Sequence, residues 1–273
     1  MNRRNTTLPT VGIIGIPYDG DSSYLPGCRK GPDSIRSAMA CSATNQVTES
    51  GIDLQKHPRL QDLGDLDFST APNPRVVIEQ GLDEALKRVD HTLSLGGDHS
   101  ITYPILKSYY EKSGPINVLQ LDAHPDLYDQ LDNNRFSHAC PFARAHEAGL
   151  IKRHVQLGIR TLTPHQKAQA ERFGVEIPAT PTTVPAGTLE FSGAVYVTLD
   201  LDVLDPAFAP GVNHYEPGGM SVRDVLNILQ RLNAPLLGAD IVELNPERDV
   251  QHMTAHVAAK FMKEMLGIML GGR

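Results

Sequence analysis

The chain has 273 residues, 40% of them hydrophobic, which is enough to bury the core of one large α/β domain or two small ones. Lys and Arg number 25 against 32 Asp and Glu, a formal charge of -7, which argues against a protein that coats nucleic acid or binds anionic membrane. Cys28, Cys41 and Cys140 show no CxxC spacing, so neither a disulfide framework nor a zinc knuckle is implied.

Taken in chain order, MNRRNTTLPT carries two arginines but no apolar stretch after them, and no later segment is long enough to span a bilayer. A soluble, unexported protein in a reducing cytoplasm is expected. The run 11–16 is the first of six short apolar stretches, the others being 91–95, 116–121, 154–159, 194–199 and 236–244. Continuous hydrophobicity of this kind is what parallel strands buried on both faces present. Between them lie stretches with helical spacing. Gly31-Pro32-Asp33 opens a helix containing 35–39. Val76, Val77, Leu82, Leu86 and Val89 share one helical pattern, and Ser221 is a plausible N-cap for Val222, Val225, Leu226 and Leu229. Residues 253–270 form a long final helix, and the Pro- and Thr-containing segment 180–187 reads as a loop. The repetition predicts one mainly parallel sheet covered by helices, in a single domain spanning 1–273.

Three of the apolar runs end in dense polar clusters: Gly96-Gly97-Asp98-His99-Ser100, Asp122-Ala123-His124-Pro125-Asp126 and Asp200-Leu201-Asp202. Ligands of open parallel sheets bind beyond the carboxyl ends of strands, so these clusters can converge. Alternate residues of an extended chain face the same way, which directs Asp122, His124 and Asp126 to one place and pairs Asp200 with Asp202. Four carboxylates gathered in a low-dielectric crevice repel one another unless cations neutralise them. Two divalent ions would balance the charge. Four aspartates, two histidines and no thiolate form a hard, oxygen-rich donor set that suits Mn2+ better than structural zinc, with Ni2+ and Co2+ as other candidates. Each cluster alone is also what a turn or a cap looks like; the conjunction of three carries the inference.

The blocks GGDHS (96–100), DAHPD (122–126), SHACPFAR (137–144), TLDLDVLDPAFAPG (198–211) and ADIVELNP (239–246) resemble the ureohydrolase family of arginases and agmatinases. DPAFAPGVNHYEPGGMSVRDVLNIL, with DAHPDLYD, is most similar to its plant-type arginases. The resemblance implies the three-layer α/β/α arginase-deacetylase fold with about eight strands, and a trimeric or hexameric homo-oligomer. It further implies one Mn2+ held by His99, Asp122, Asp126 and Asp200, a second by Asp122, His124, Asp200 and Asp202, with Asp122 and Asp200 bridging. Metal coordination can bring the pKa of water from ~15.7 to about 7, so a nucleophile for the guanidinium carbon would be at hand near neutral pH.

The leaving amine must be protonated, and the resemblance makes Asp126 the proton shuttle. His138 would relay protons or orient substrate, Glu243 would grip the guanidinium through paired N–H donors, and Asn134 and His214 would meet the rest of the substrate. Asp98 is either a brace for a ligand or a turn residue, Glu216 has no assigned metal role, and Cys140 is expected to pack. Where animal arginases carry an acidic residue after a strand ending in G-[IL]-R, this chain has Thr161-Leu162-Thr163 after Gly158-Ile159-Arg160. A small guanidino compound is therefore the expected partner, arginine first, agmatine second, another guanidino acid or guanidine third. A non-catalytic metal-binding subunit and a single-metal deacetylase are the competing classes.

Overall fold

The computed structural model describes residues 8–69 and 72–271; the segment 1–7, which holds both arginines of the N-terminal reading, lies outside the described residues. Seven strands form one sheet: β1 (Val11–Ile16), β2 (Leu60–Asp65), β3 (His91–Gly96), β4 (Ile116–Leu121), β5 (Ile151–Leu157), β6 (Val195–Asp200) and β7 (Leu236–Val242). Every pairing is parallel, in the order β2-β1-β3-β7-β6-β4-β5. Parallel neighbours need crossovers, which are supplied by α1 (Gly31–Ala40), α2 (Pro74–Arg88), α3 (Thr102–Ser113), α4 (Pro141–Glu147), α5 (Pro164–Phe173) and α6 (Val222–Arg231), while α7 (Met253–Met269) follows the last strand and packs back on the sheet.

Alternation along the strands splits the core into two layers. Leu93, Leu95, Leu119, Leu121, Val197 and Leu199 pack with Ile35, Leu229 and Phe261 of α1, α6 and α7. Ile14, Ile16, Val118 and Tyr196 pack on the other face with Ile78, Leu82, Ile105, Phe142 and Ala170 of α2 to α5. The result is the expected three-layer α/β/α sandwich, with seven strands where about eight were expected. β2, with the exposed, polar sequence LQDLGD, is an edge strand and does not read as an apolar run. Among the described residues no helix is long and apolar enough to cross a membrane.

Leu93 is fully buried in the first layer. Leu93→Ala is expected to cost ~2–5 kcal/mol through lost burial and the cavity left behind. Urea denaturation checks this, and a loss under about 1 kcal/mol would show that the sheet collapses around the gap.

The topology positions the site. β3, β7, β6 and β4 are consecutive neighbours at the centre of the sheet, so the polar residues that follow them, far apart in the chain, emerge side by side. Leu95 and Leu199 both register with Ile241, and Leu121 with Leu199, which levels the four strand ends.

Candidate metal centre

Backbone geometry at the strand ends is specialised. Gly97 runs so close to the main chain of Tyr18 that a Cβ there would collide with it, and the Asp98 N–H donates to the Tyr18 carbonyl at 2.9 Å. Asp126 and Glu243 adopt left-handed conformations, with φ of 52° and 65°. Such positions cost about 1–3 kcal/mol each in non-glycine residues and persist where the surrounding structure over-determines them.

The imidazole of His99 is fully buried, with Nε2 paired to the Thr198 hydroxyl at 2.9 Å. Its Nδ1 lacks a hydrogen bond of good geometry, yet it lies 3.2, 3.0 and 3.3 Å from carboxylate oxygens of Asp122, Asp126 and Asp200. Nearby, His124 Nδ1 is 2.8 Å from Asp202 and 3.7 Å from Asp122. Among the described residues, His99, Asp122 and Asp200 form one group able to hold a metal ion, and Asp122, His124 and Asp202 a second. Asp122 stands in both, turning Oδ2 to His99 and Oδ1 to His124. Asp200 is grouped with His99 alone, and its Oδ1 caps the Asp202 N–H at 2.9 Å.

The charge balance is that of a cation site. Burial, then Asp122, push Asp126 up to about 6; burial, Asp202 and Asp122 push Asp200 well above the usual carboxylate range. Burial also opposes charge on His99 and His124, but their facing carboxylates outweigh it and hold both imidazoles above the ordinary histidine range. Asp126, Asp200 and both imidazoles cling to protons because negative charge is in excess, while Asp122, facing His124 and His99, is held below the usual carboxylate range despite its burial; divalent cations relieve such an excess. An orphaned Nδ1 aimed at three carboxylates, in an all-Asp and His donor set, fits hard divalent ions.

The centre forms one wall of a cavity of about 280 Å³, lined also by His138, His214, Glu243 and a polar rim including Tyr128, Thr161, Thr163 and Gln166. Glu243 Oε1 accepts from the His99 N–H at 2.9 Å and lies 3.0 Å from His138 Nδ1; Oε2 faces the Cys28 thiol at 3.4 Å. Burial disfavours both charges, but each outweighs it for the other: His138 rises to about 9 and Glu243 falls to about 2. His138 Nε2 pairs with the Ser23 hydroxyl at 2.8 Å. The His214 ring stands 5.1 Å from that of His138 and 5.9 Å from that of His124.

The structure thus brings together Asp126, His138, Glu243, His214 and all six expected ligands. Asn134 does not line the cavity: its amide donates to Asp21 at 2.8 Å, and the wall carries Leu131 of the same loop. Asp98 braces that loop system, accepting from the Asp21 N–H at 3.0 Å and capping Ser100. Glu216 Oε1 lies 3.6 Å from His124 Nε2, and buried Cys140, its thiol raised to about 12 by burial and then Asp126, packs against the loop at Asn134. Ser23, Cys28, Tyr128 and Gln166 are contributions the sequence did not mark. Thr198 and Gln120 could have been found, because each lies two residues before a ligand on the same strand face.

Comparison with known proteins agrees with this geometry. The Arginase family model matches residues 9–267. Arginase 1, mitochondrial, of Arabidopsis thaliana is 42% identical over 273 residues, covering 94% of this chain and 80% of its own. Guanidinopropionase of Pseudomonas aeruginosa is 35% identical, covering 95% and 86%. The arginase structure from Medicago truncatula superposes with a TM-score of 0.84 at 37% identity, over 97% of this chain and 89% of that one. Because the match runs through the whole sheet and every loop that carries a candidate ligand, this chain belongs to the arginase family.

Proposed function

We propose that the chain is an arginase, a manganese hydrolase that cleaves the guanidino group of L-arginine to give L-ornithine and urea. The observation that carries this reading is the placement of the ion-paired Glu243 and His138 in the cavity that the Asp and His cluster walls. His99, Asp122, Asp126 and Asp200 would hold one Mn2+ and Asp122, His124, Asp200 and Asp202 the other. When bound, the ions supply Lewis acidity that makes water a nucleophile near neutral pH.

The protein's own groups do the rest. Glu243 accepts guanidinium N–H donors and fixes the planar carbon facing the cluster, which converts a bimolecular encounter into an oriented one. Asp126, at the cavity wall, takes the proton released from water and delivers it to the departing amine. His138, hydrogen-bonded to both Glu243 and Ser23, keeps that carboxylate ionised and oriented. His214 would meet the substrate tail, and the uncharged Thr161, Thr163 and Gln166 line the same cavity. The whole of 1–273 is read as one catalytic domain. The same reading takes the chain as a trimeric or hexameric homo-oligomer in the cytoplasm, its three free cysteines being in keeping with a reducing compartment.

The test is a comparison of kcat/KM for arginine, agmatine and guanidinopropionate with manganese-loaded protein. Arginine is expected to lead by about tenfold or more, ~1.4 kcal/mol of transition-state discrimination. Agmatine leading would change the substrate and leave the reaction intact. No urea from any of the three, with manganese present at two ions per chain, would end the enzyme reading.

A further inference from the structure

One buried histidine, His154, and one half-buried, His146, have no part in the chemistry proposed above. β4 and β5 register Gln120 against Gln156 and Val118 against His154, so Gln120, Gln156 and His154 share the sheet face beneath α4. All three are essentially inaccessible. The Gln120 amide nitrogen donates to Asp122 Oδ2 at 2.8 Å and to the His124 carbonyl at 3.0 Å. Its Oε1 faces His154 Nε2 at 3.1 Å, and His154 Nδ1 faces His146 Nε2, from α4, at 3.1 Å.

The proton positions follow from the partners. Gln156 Nε2 lies 2.7 Å from both the Pro125 carbonyl and Gln120 Oε1, and only a donor can serve two acceptors there. Gln120 likewise cannot turn over, because its oxygen would then meet the Asp122 carboxylate and the His124 carbonyl. His154 must therefore donate from Nε2, which leaves Nδ1 to accept from His146. Burial keeps both rings neutral, holding His154 well below the ordinary histidine range and His146 down at about 4. Every N–H in the series thus points the same way, toward Asp122. His146 is itself held by stacking on Phe173, the ring centroids 4.8 Å apart.

We infer that His146, His154 and Gln120 form a one-way hydrogen-bond series that positions the Asp122 carboxylate between the two ligand groups, and so governs how tightly the centre holds its ions. It rests on the metal-centre reading above. Hydrogen bonds in series polarise one another, and partners behind a ligand fix its orientation before the ion arrives. Gln120 contributes a second link, since its bond to the His124 carbonyl ties the backbone of one ligand to the side chain of another.

The test measures Mn2+ affinity by calorimetric titration of metal-free protein at pH 7.5, with thermal unfolding of the metal-free form as the folding control. His154→Leu removes the donor at similar bulk, and His154→Gln restores an N–H near the Nε2 position. Expected is a weakening of about tenfold for His154→Leu and less than about threefold for His154→Gln, outer partners typically mattering at this scale. Equal losses in the two variants would assign the effect to packing, and wild-type affinity in His154→Leu would overturn the inference. Should His154→Leu not fold, His146→Leu reads the next link; it is expected to weaken binding about threefold, and unchanged affinity there overturns the inference as well. Failure of the wild-type protein to bind Mn2+ would instead sink the metal-centre reading itself.

Discussion

Asp122→Asn is expected to lower kcat/KM for arginine by about a thousandfold or more, ~4 kcal/mol of transition-state stabilisation, and to reduce bound manganese below two ions per chain. Among the described residues Asp122 stands in both candidate ligand groups, with an oxygen turned to each imidazole, and in the reading above it shares the bridging role with Asp200. An amide replaces one of those oxygens by a donor, so at least one group loses a ligand and the centre loses a negative charge. The fold has little stake in the change. Asp122 Oδ2 accepts from Gln120 and Oδ1 from the His124 N–H, and the amide oxygen can keep one of these contacts. Activity and metal content measured on the same preparation, beside an unfolding curve, give the result. A variant that keeps two ions and near wild-type turnover would show that Asp122 is not a ligand.

The sequence announced this centre because its residues obey simple geometry. Strands buried on both faces read as apolar runs, and ligand pairs at their ends sit two apart, so the topology had only to set β3, β6 and β4 near one another, β7 lying between β3 and β6. β2 escaped because an edge strand that stays mostly exposed has no need of an apolar run. The uncharged supports Gln120 and Thr198 are in the right phase, yet amides and hydroxyls are too common in strands to stand out. Ser23 and Cys28 arrive from the segment after β1, and nothing local connects Ser23 with His138, or Cys28 with Glu243 more than two hundred residues later. Asn134 is the opposite case. Its position in the loop before His138 invites a substrate role, but its amide is already committed to Asp21, a partnership decided by how the two loops pack.

Glu243→Gln isolates charge from shape. The left-handed backbone at this position costs the same for either side chain, and the amide oxygen can still accept the His99 N–H that Oε1 accepts at 2.9 Å. The lost element is the anion that faces His138 and, with substrate present, the guanidinium. A charge-assisted hydrogen bond contributes about 1.5–3 kcal/mol, so kcat/KM for arginine is expected to fall about a hundredfold at the upper end of that range. Manganese content should stay at the wild-type value, because no ligand changes. The outcome separates two roles that the geometry superimposes on one carboxylate. Activity lost together with the metal would make Glu243 a brace for the His99 loop, whereas activity lost with the metal retained makes it the group that holds the reacting carbon in place.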